Sequence, residues 1–179
     1  MQPCLLLALA LLGTASARHL AAVTSEVAEP ELEAEDKDGD VECPLEDEMN
    51  ALNITDTQST RTFHYIIVRR CQTFHRAQKV CSRCYRGRLA SIHSYRINIL
   101  LQCRAHTRVN NRRVWIGAIT RPQDGSVFCR WSDRSSWNFA YWRHGYPRLS
   151  RRFCTTLSTK NGHWRSTRCR ARLPFICEY

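Results

Sequence analysis

The chain has 179 residues, 43% of them hydrophobic, ten cysteines and a formal charge of +11 at neutral pH. That is enough chain for one domain with a true core plus an appendage. Its one apolar run, at the N-terminus, is too short to cross about 30 Å of hydrocarbon, which argues against a membrane-spanning helix.

The first seventeen residues, MQPCLLLALALLGTASA, carry no charge. They combine a Leu/Ala run from Cys4 to Leu12 with small residues at Ala15 and Ala17, the pattern of a secretory signal cut between Ala17 and Arg18. The mature protein is expected to be soluble and secreted. Disulfides are then permitted, and the cysteines read as staples. A zinc site built on Cys81 and Cys84 would need a second ligand pair at comparable spacing, and the sequence offers none.

The charge is divided between two regions. Arg18 to Arg61 holds thirteen acids against three bases, a net of −10, and contains no aromatic residue. Thr62 to Tyr179 holds twenty-four bases against Asp124, Asp133 and Glu178, a net of +21. A stretch such as EVAEPELEAEDKDGDVE has too little apolar surface to offset its ordering entropy, so residues 18–61 are expected to be disordered. Their charge suits a propeptide that shields the basic domain at residues 62–179. Asn53-Ile54-Thr55 is a glycosylation sequon within it.

In the basic region, Thr73 can cap a helix with Phe74, Ala77, Cys81 and Cys84 on one stripe, ended by Gly87. A short strand is expected over 88–92. Ser94 can cap a second helix with Ile97, Leu100, Leu101 and Arg104 on one side, ending near His106. Then VWIGA, VFCRW, RRFCTTLS, HWRSTRC and LPFICEY read as short strands between turn residues. Two helices and several strands indicate an α+β domain.

Residues 63–179 resemble the C-type lectin-like domain on TFHRAQKVCSRCYRGRLASIHS, VWIGA, WSDRSSWNFAYW, then Cys154, Cys169 and PFIC, in the family's order. A tighter resemblance, on CSRCYRGRLASIH, WNFAYW, NGHWR and RLPFIC, is to the family's arginine-rich members, made with a signal and an acidic propeptide. The resemblance implies two helices on a mixed, mainly antiparallel sheet with a long loop region. It also implies the disulfides Cys81–Cys177 and Cys154–Cys169. Spacing alone could not choose among the 105 pairings open to eight cysteines. For Cys71, Cys84, Cys103 and Cys129 a buried thiol, a third bridge and a disulfide to a protein partner all stay open.

Sugar-binding members of the family hold calcium with a carboxylate or amide on each side of a proline and an Asn-Asp after a Trp. The matching positions here are Tyr146-Pro147-Arg148 and Trp164-Arg165-Ser166. Calcium takes six to eight oxygen ligands, and arginine supplies charge of the wrong sign. No metal or other cofactor is expected.

The basic region has twenty-two Arg and only Lys79 and Lys160. Guanidinium forks suit sulfate, phosphate and carboxylate. The candidate anion- and glycan-binding cluster is Arg148, Arg151, Arg152, Arg165, Arg168, Arg170 and Arg172. Tyr146 and Trp164 are candidates to stack on a sugar or sit at a membrane interface. Trp115, Trp131 and Trp142 read as core.

The expected partners are heparin- or heparan-type sulfated glycans, anionic membrane surfaces and the chain's own acidic propeptide, released by a cut near Arg61/Thr62. The resemblance further implies a cytotoxic effector stored in secretory granules of eosinophil-type leukocytes. A non-toxic, calcium-independent heparin-binding module is the alternative. No physiological nucleic-acid partner is expected of a secreted protein. Nor is an enzyme, because no pattern among His64, His75, His93, His106, His144 and His163 assigns a general acid and base.

Overall fold

The computed structural model describes residues 41–55 and 62–179. The expected signal cleavage at Ala17/Arg18 lies outside them, as does Arg61. Among the described residues two α-helices, α1 (Phe74–Tyr85) and α2 (Tyr95–Arg108), accompany eight strands. The strands are β1 (Met49–Thr55), β2 (Thr62–Gln72), β3 (Arg88–Leu89), β4 (Arg113–Gln123), β5 (Ser126–Trp131), β6 (Phe153–Ser158), β7 (Trp164–Thr167) and β8 (Leu173–Glu178).

All eight strands belong to one sheet, ordered β1-β2-β8-β4-β6-β7, with β3 paired to β8 and β5 to β4. Pairing is antiparallel except between β4 and β8, which meet in parallel at Trp115 and Phe175. This is the mixed, mainly antiparallel α+β arrangement expected.

The sheet's central strands are apolar on both sides because each side is covered. Along β4, Val114, Ile116 and Ala118 join Ile97, Leu101 and Ala105 of α2 in one core cluster. Trp115 and Ile119, alternating with them, join Phe74, Ala77, Val80 and Cys81 of α1 in the other. The same division splits β2 into Tyr65 and Ile67 against Ile66 and Val68.

Both helices start as expected, with Thr73 accepting from the Arg76 amide and Ser94 from that of Ile97. Their other ends and faces differ from expectation. It is Arg86, not Gly87, that takes the left-handed conformation after α1, with φ 55°. Gly87 is required for another reason, since a Cβ there would collide with the Glu178 carbonyl oxygen. On α2 the buried residues are Ile97, Asn98, Leu101 and Ala105, while Leu100 and Arg104 face solvent. Asn98 holds a core position because both ends of its amide are satisfied, by Trp164 Nε1 at 2.7 Å and the Gly162 carbonyl at 3.1 Å.

The larger correction concerns the acidic segment expected to be disordered over 18–61. From Val41 it is part of the fold. β1 pairs with β2 through seven residues, from Met49 opposite Val68 to Thr55 opposite Thr62. Ile54 is buried with Leu52 beside it in one core cluster, and Val41 and Met49 pack on the other. These few apolar residues, spread among carboxylates, supply the burial that the segment's mean composition hid. A disulfide, Cys43–Cys84, fastens the segment to α1. Two more, Cys81–Cys177 and Cys154–Cys169, join α1 to β8 and β6 to the turn after β7. Cys71, Cys103 and Cys129 are thiols. Burial pushes Cys129 up to about 11 and raises Cys71 as well, with Arg172 pulling the latter back.

Candidate anion-binding site

Between β5 and β6 the chain runs from 132 to 152 without a helix or a named strand. What holds it is an aromatic nest. Trp137, Phe139, Tyr141 and Trp142 alternate with exposed residues and pack against the core. Their centre is Trp164, fully buried, with the rings of Trp131, Trp137, Phe139 and Trp142 at 5.4, 5.9, 5.6 and 5.6 Å in edge-to-face contact. Backbone bonds from Trp164 N to Tyr141 O (2.7 Å) and from Arg143 N to Trp164 O (3.0 Å) fix the returning loop to β7.

Beyond this anchor the loop presents Tyr146-Pro147-Arg148, whose Tyr-Pro peptide is cis. The Arg148 amide donates to Ser166 Oγ at 3.0 Å, so the two stretches that match the family's calcium positions meet here. The Arg148 guanidinium lies 5.3 Å over the Tyr146 ring, and its Nη2 donates to the Tyr146 hydroxyl at 3.4 Å. On the adjacent β4, Arg113 Nη1 donates to Thr167 Oγ1 at 3.4 Å.

Arg113, Tyr146, Arg148, Ser150, Arg151 and Arg168 are among the residues that line an open cleft of about 360 Å³. Its four charged residues are all arginines, and no carboxylate lines it. Of the three acids in residues 62–179, Asp133 is held by Ser91 (2.5 Å) and by Ser135 (2.6 Å). Burial raises Asp133, but those hydrogen bonds and Arg88 outweigh it and leave the carboxyl below its usual range. Glu178 accepts from Ser91 N at 3.1 Å, and burial, then Asp133, raises its pKa. Asp133 and Glu178 are thus engaged elsewhere, Asp124 does not line the cleft either, and the cleft keeps its positive field.

The sequence-derived cluster is therefore divided. Tyr146, Arg148, Arg151 and Arg168 come together in the cleft. Arg152 lines a different cleft, with Arg121 and Arg130. Arg165, Arg170 and Arg172 line neither. Arg172 instead lies close enough to the Cys71 thiol of β2 for its charge to lower that group's pKa. Trp164 is excluded from ligand contact, because the same residue that marks the edge in sequence is the hub of the core. Arg113 was missed, since a strand-forming context gave no sign that its side chain leaves the sheet toward the loop. Asn53 is exposed on β1, with its Oδ1 2.8 Å from His64 Nδ1.

The side chains at the family's calcium positions do not fit that ion. Tyr146, Arg148, Arg165 and Ser166 offer a phenol, a hydroxyl already bonded to Arg148 N and two guanidinium groups, against a demand for carboxylate oxygens.

Residues 70–179 match the family described as lectin C-type domain. Among curated proteins the chain is 44% identical to Bone marrow proteoglycan of Mus musculus over 79% of its length and 62% of the relative's. It is 44% identical to Proteoglycan 3 of Mus musculus over 78% and 61%. With Eosinophil granule major basic protein 1 of Cavia porcellus the identity is 42%, over 78% and 60%. The chain thus spans about three fifths of the length of these relatives. Among solved structures, human lithostathine aligns at a TM-score of 0.60 and 21% identity, over 78% of this chain and 91% of that one. A calcium-independent type II antifreeze protein aligns at 0.56 and 21%, over 73% and 95%.

Proposed function

The chain belongs to the C-type lectin domain family, and on that premise we propose that it is a cationic, calcium-independent binder of sulfated glycans and anionic membrane surfaces. The observation that carries this reading is the cleft in which Arg113, Arg148, Arg151 and Arg168 converge around Tyr146 with no carboxylate. Guanidinium groups facing one opening favour a ligand with several closely spaced anions, as a sulfated glycosaminoglycan presents. Two relatives named as proteoglycans and one named as a granule protein support storage in secretory granules and release from eosinophil-type leukocytes.

The test is binding to immobilised heparin at fixed ionic strength, with and without a chelator. R148A/R168A is expected to weaken binding about tenfold or more, taking roughly 1 kcal/mol per exposed charge-assisted contact. EDTA is expected to change nothing. Unchanged affinity in R148A/R168A overturns the reading of the cleft, and loss of binding in EDTA overturns calcium independence.

Cytotoxicity is a separate part of the proposal. Leu149, half exposed beside Arg148, offers an apolar contact to a bilayer. Burial of Trp164 removes the ring best suited to that task, and this favours the second reading, a heparin-binding module that does not injure membranes. Leakage from anionic liposomes decides between them.

A further inference from the structure

A second cleft, of about 250 Å³, is lined by Ile119, Arg121, Phe128, Arg130 and Arg152. Its floor and walls follow from register. In the β4–β5 hairpin Ile119 faces Arg130 and Arg121 faces Phe128, so all four side chains share one face. The Phe128 ring is 41% exposed, and the Arg121 guanidinium lies 5.1 Å over it. Stacking and a 3.3 Å bond from Arg121 Nη2 to Gln123 Oε1 hold the guanidinium in place, and a fork with five N–H donors keeps capacity for an anion beyond that one bond. As in the first cleft, an arginine lies over an aromatic ring with further arginines around it, and no carboxylate lines the opening.

The two clefts adjoin at the start of β6. Arg151 and Phe153 line the first and Arg152 the second, so consecutive residues serve opposite sides of one ridge. Phe153 pairs with Thr120, between Ile119 and Arg121 of the second cleft. From this juxtaposition we infer that the β4–β5 cleft is a second anion subsite, and that the ligand is an extended sulfated polymer lying across Arg151 and Arg152 into both. This rests on the reading of the first cleft as a sulfated-glycan site. Two linked subsites raise avidity only for a chain long enough to span them, because the second contact is then intramolecular.

The experiment compares heparin tetrasaccharide with heparin of twenty or more sugars on the full chain. Three double variants are used: R121A/R130A, R148A/R168A, and R104A/R108A, which removes two exposed charges from α2. R121A/R130A is expected to weaken long-chain binding about tenfold and to leave tetrasaccharide binding within twofold of the unsubstituted protein. R148A/R168A is expected to weaken both, and R104A/R108A to weaken long-chain binding by less than threefold. If R121A/R130A behaves like R104A/R108A, the second subsite is overturned while the first cleft stands. If R148A/R168A has no effect on either ligand, the reading of the first cleft fails, whatever R121A/R130A does. Circular dichroism on each variant confirms folding, and R121K/R130K, which keeps charge but not the planar fork, should fall between.

Discussion

The backbone amide of Arg148 and the hydroxyl of Ser166 are joined by a 3.0 Å hydrogen bond that crosses from the long loop to β7. It is the point at which the loop that carries Tyr146 and Arg148 is tied to β7, which carries Thr167 and leads into Arg168. S166A removes this tie without changing any charge. Loss of one such bond costs about 1 kcal/mol at most, and heparin affinity should fall about two- to fivefold with little change in melting temperature. An affinity equal to that of the unsubstituted protein would show that the loop is placed by the aromatic nest alone.

W164F tests the assignment of Trp164 to the core. The substitution leaves Asn98 Oδ1 without its indole donor and thins the contact with four rings, at a cost of roughly 2–4 kcal/mol. Chemical denaturation should register that loss. Heparin affinity per folded molecule should stay unchanged, and a drop in affinity larger than twofold would return Trp164 to the ligand.

The bridges should separate stability from binding. Cys81–Cys177 spans 96 residues and Cys154–Cys169 spans 15. In the chain-entropy model these loops contribute about 4.7 and about 3 kcal/mol. Cys154 follows Phe153 and Cys169 follows Arg168, both lining the first cleft. C154A/C169A should therefore weaken heparin binding in protein that still unfolds cooperatively, whereas C81A/C177A should abolish cooperative unfolding near body temperature. The reverse ranking in paired denaturation and heparin-elution measurements would contradict this division.

Ser91 lies between two carboxylates that titrate in opposite senses. Glu178 is raised above its ordinary 4.5, chiefly by burial, so the stability associated with its neutral form is present below that value and is lost as pH rises through the folded value. Asp133 is lowered below 3.8 by hydrogen bonds that outweigh its burial, so its contribution is present above 3.8 and disappears as pH falls through the folded value. E178Q should accordingly gain stability relative to the unsubstituted protein between pH 4 and pH 7. D133N should be most destabilising at neutral pH, by about 1–2 kcal/mol. Melting curves across that range check both, and parallel pH profiles for the two variants would refute the opposed signs.

The basic half of the fold was legible because its signals are local. A threonine or serine cap, a helical stripe and short β-branched runs each declare an element within a dozen residues. The stripe on α2 misled where polarity and burial part company: Asn98 is buried with both ends of its amide bonded, and Leu100 is not buried. β2 carries the strongly strand-forming HYIIV, but it lies at the change from acidic to basic composition, where the average of neither region reports it. β1 was hidden for a related reason, as averaging over 44 residues let thirteen acids outweigh Met49, Leu52 and Ile54. In the site, sequence proximity gathered seven arginines that tertiary structure sends to different places. The two clefts recruit Arg113, Arg121 and Arg130 from β4 and β5, well before Arg148 and Arg151 in the chain, a relation only the register of β4 with β5 and β6 supplies.

The Cys43–Cys84 bridge and the seven-residue pairing of β1 with β2 make scission and departure two different events for this protein. Hydrolysis after Arg61 would sever the backbone ahead of Thr62, yet everything from the far N-terminus to β1 would still hang from α1 through sulfur and remain clasped along β2. A hydrolysed sample should therefore migrate as one species on a denaturing gel without thiol and as two after reduction. Among the described residues Glu42 pairs with Arg70 of β2 at 2.7 Å, and neither lines a cleft. An endoprotease alone converts the protein to a two-chain molecule, and a dithiol reductant that opens the bridge, followed by peeling of β1, is what sheds the acidic chain.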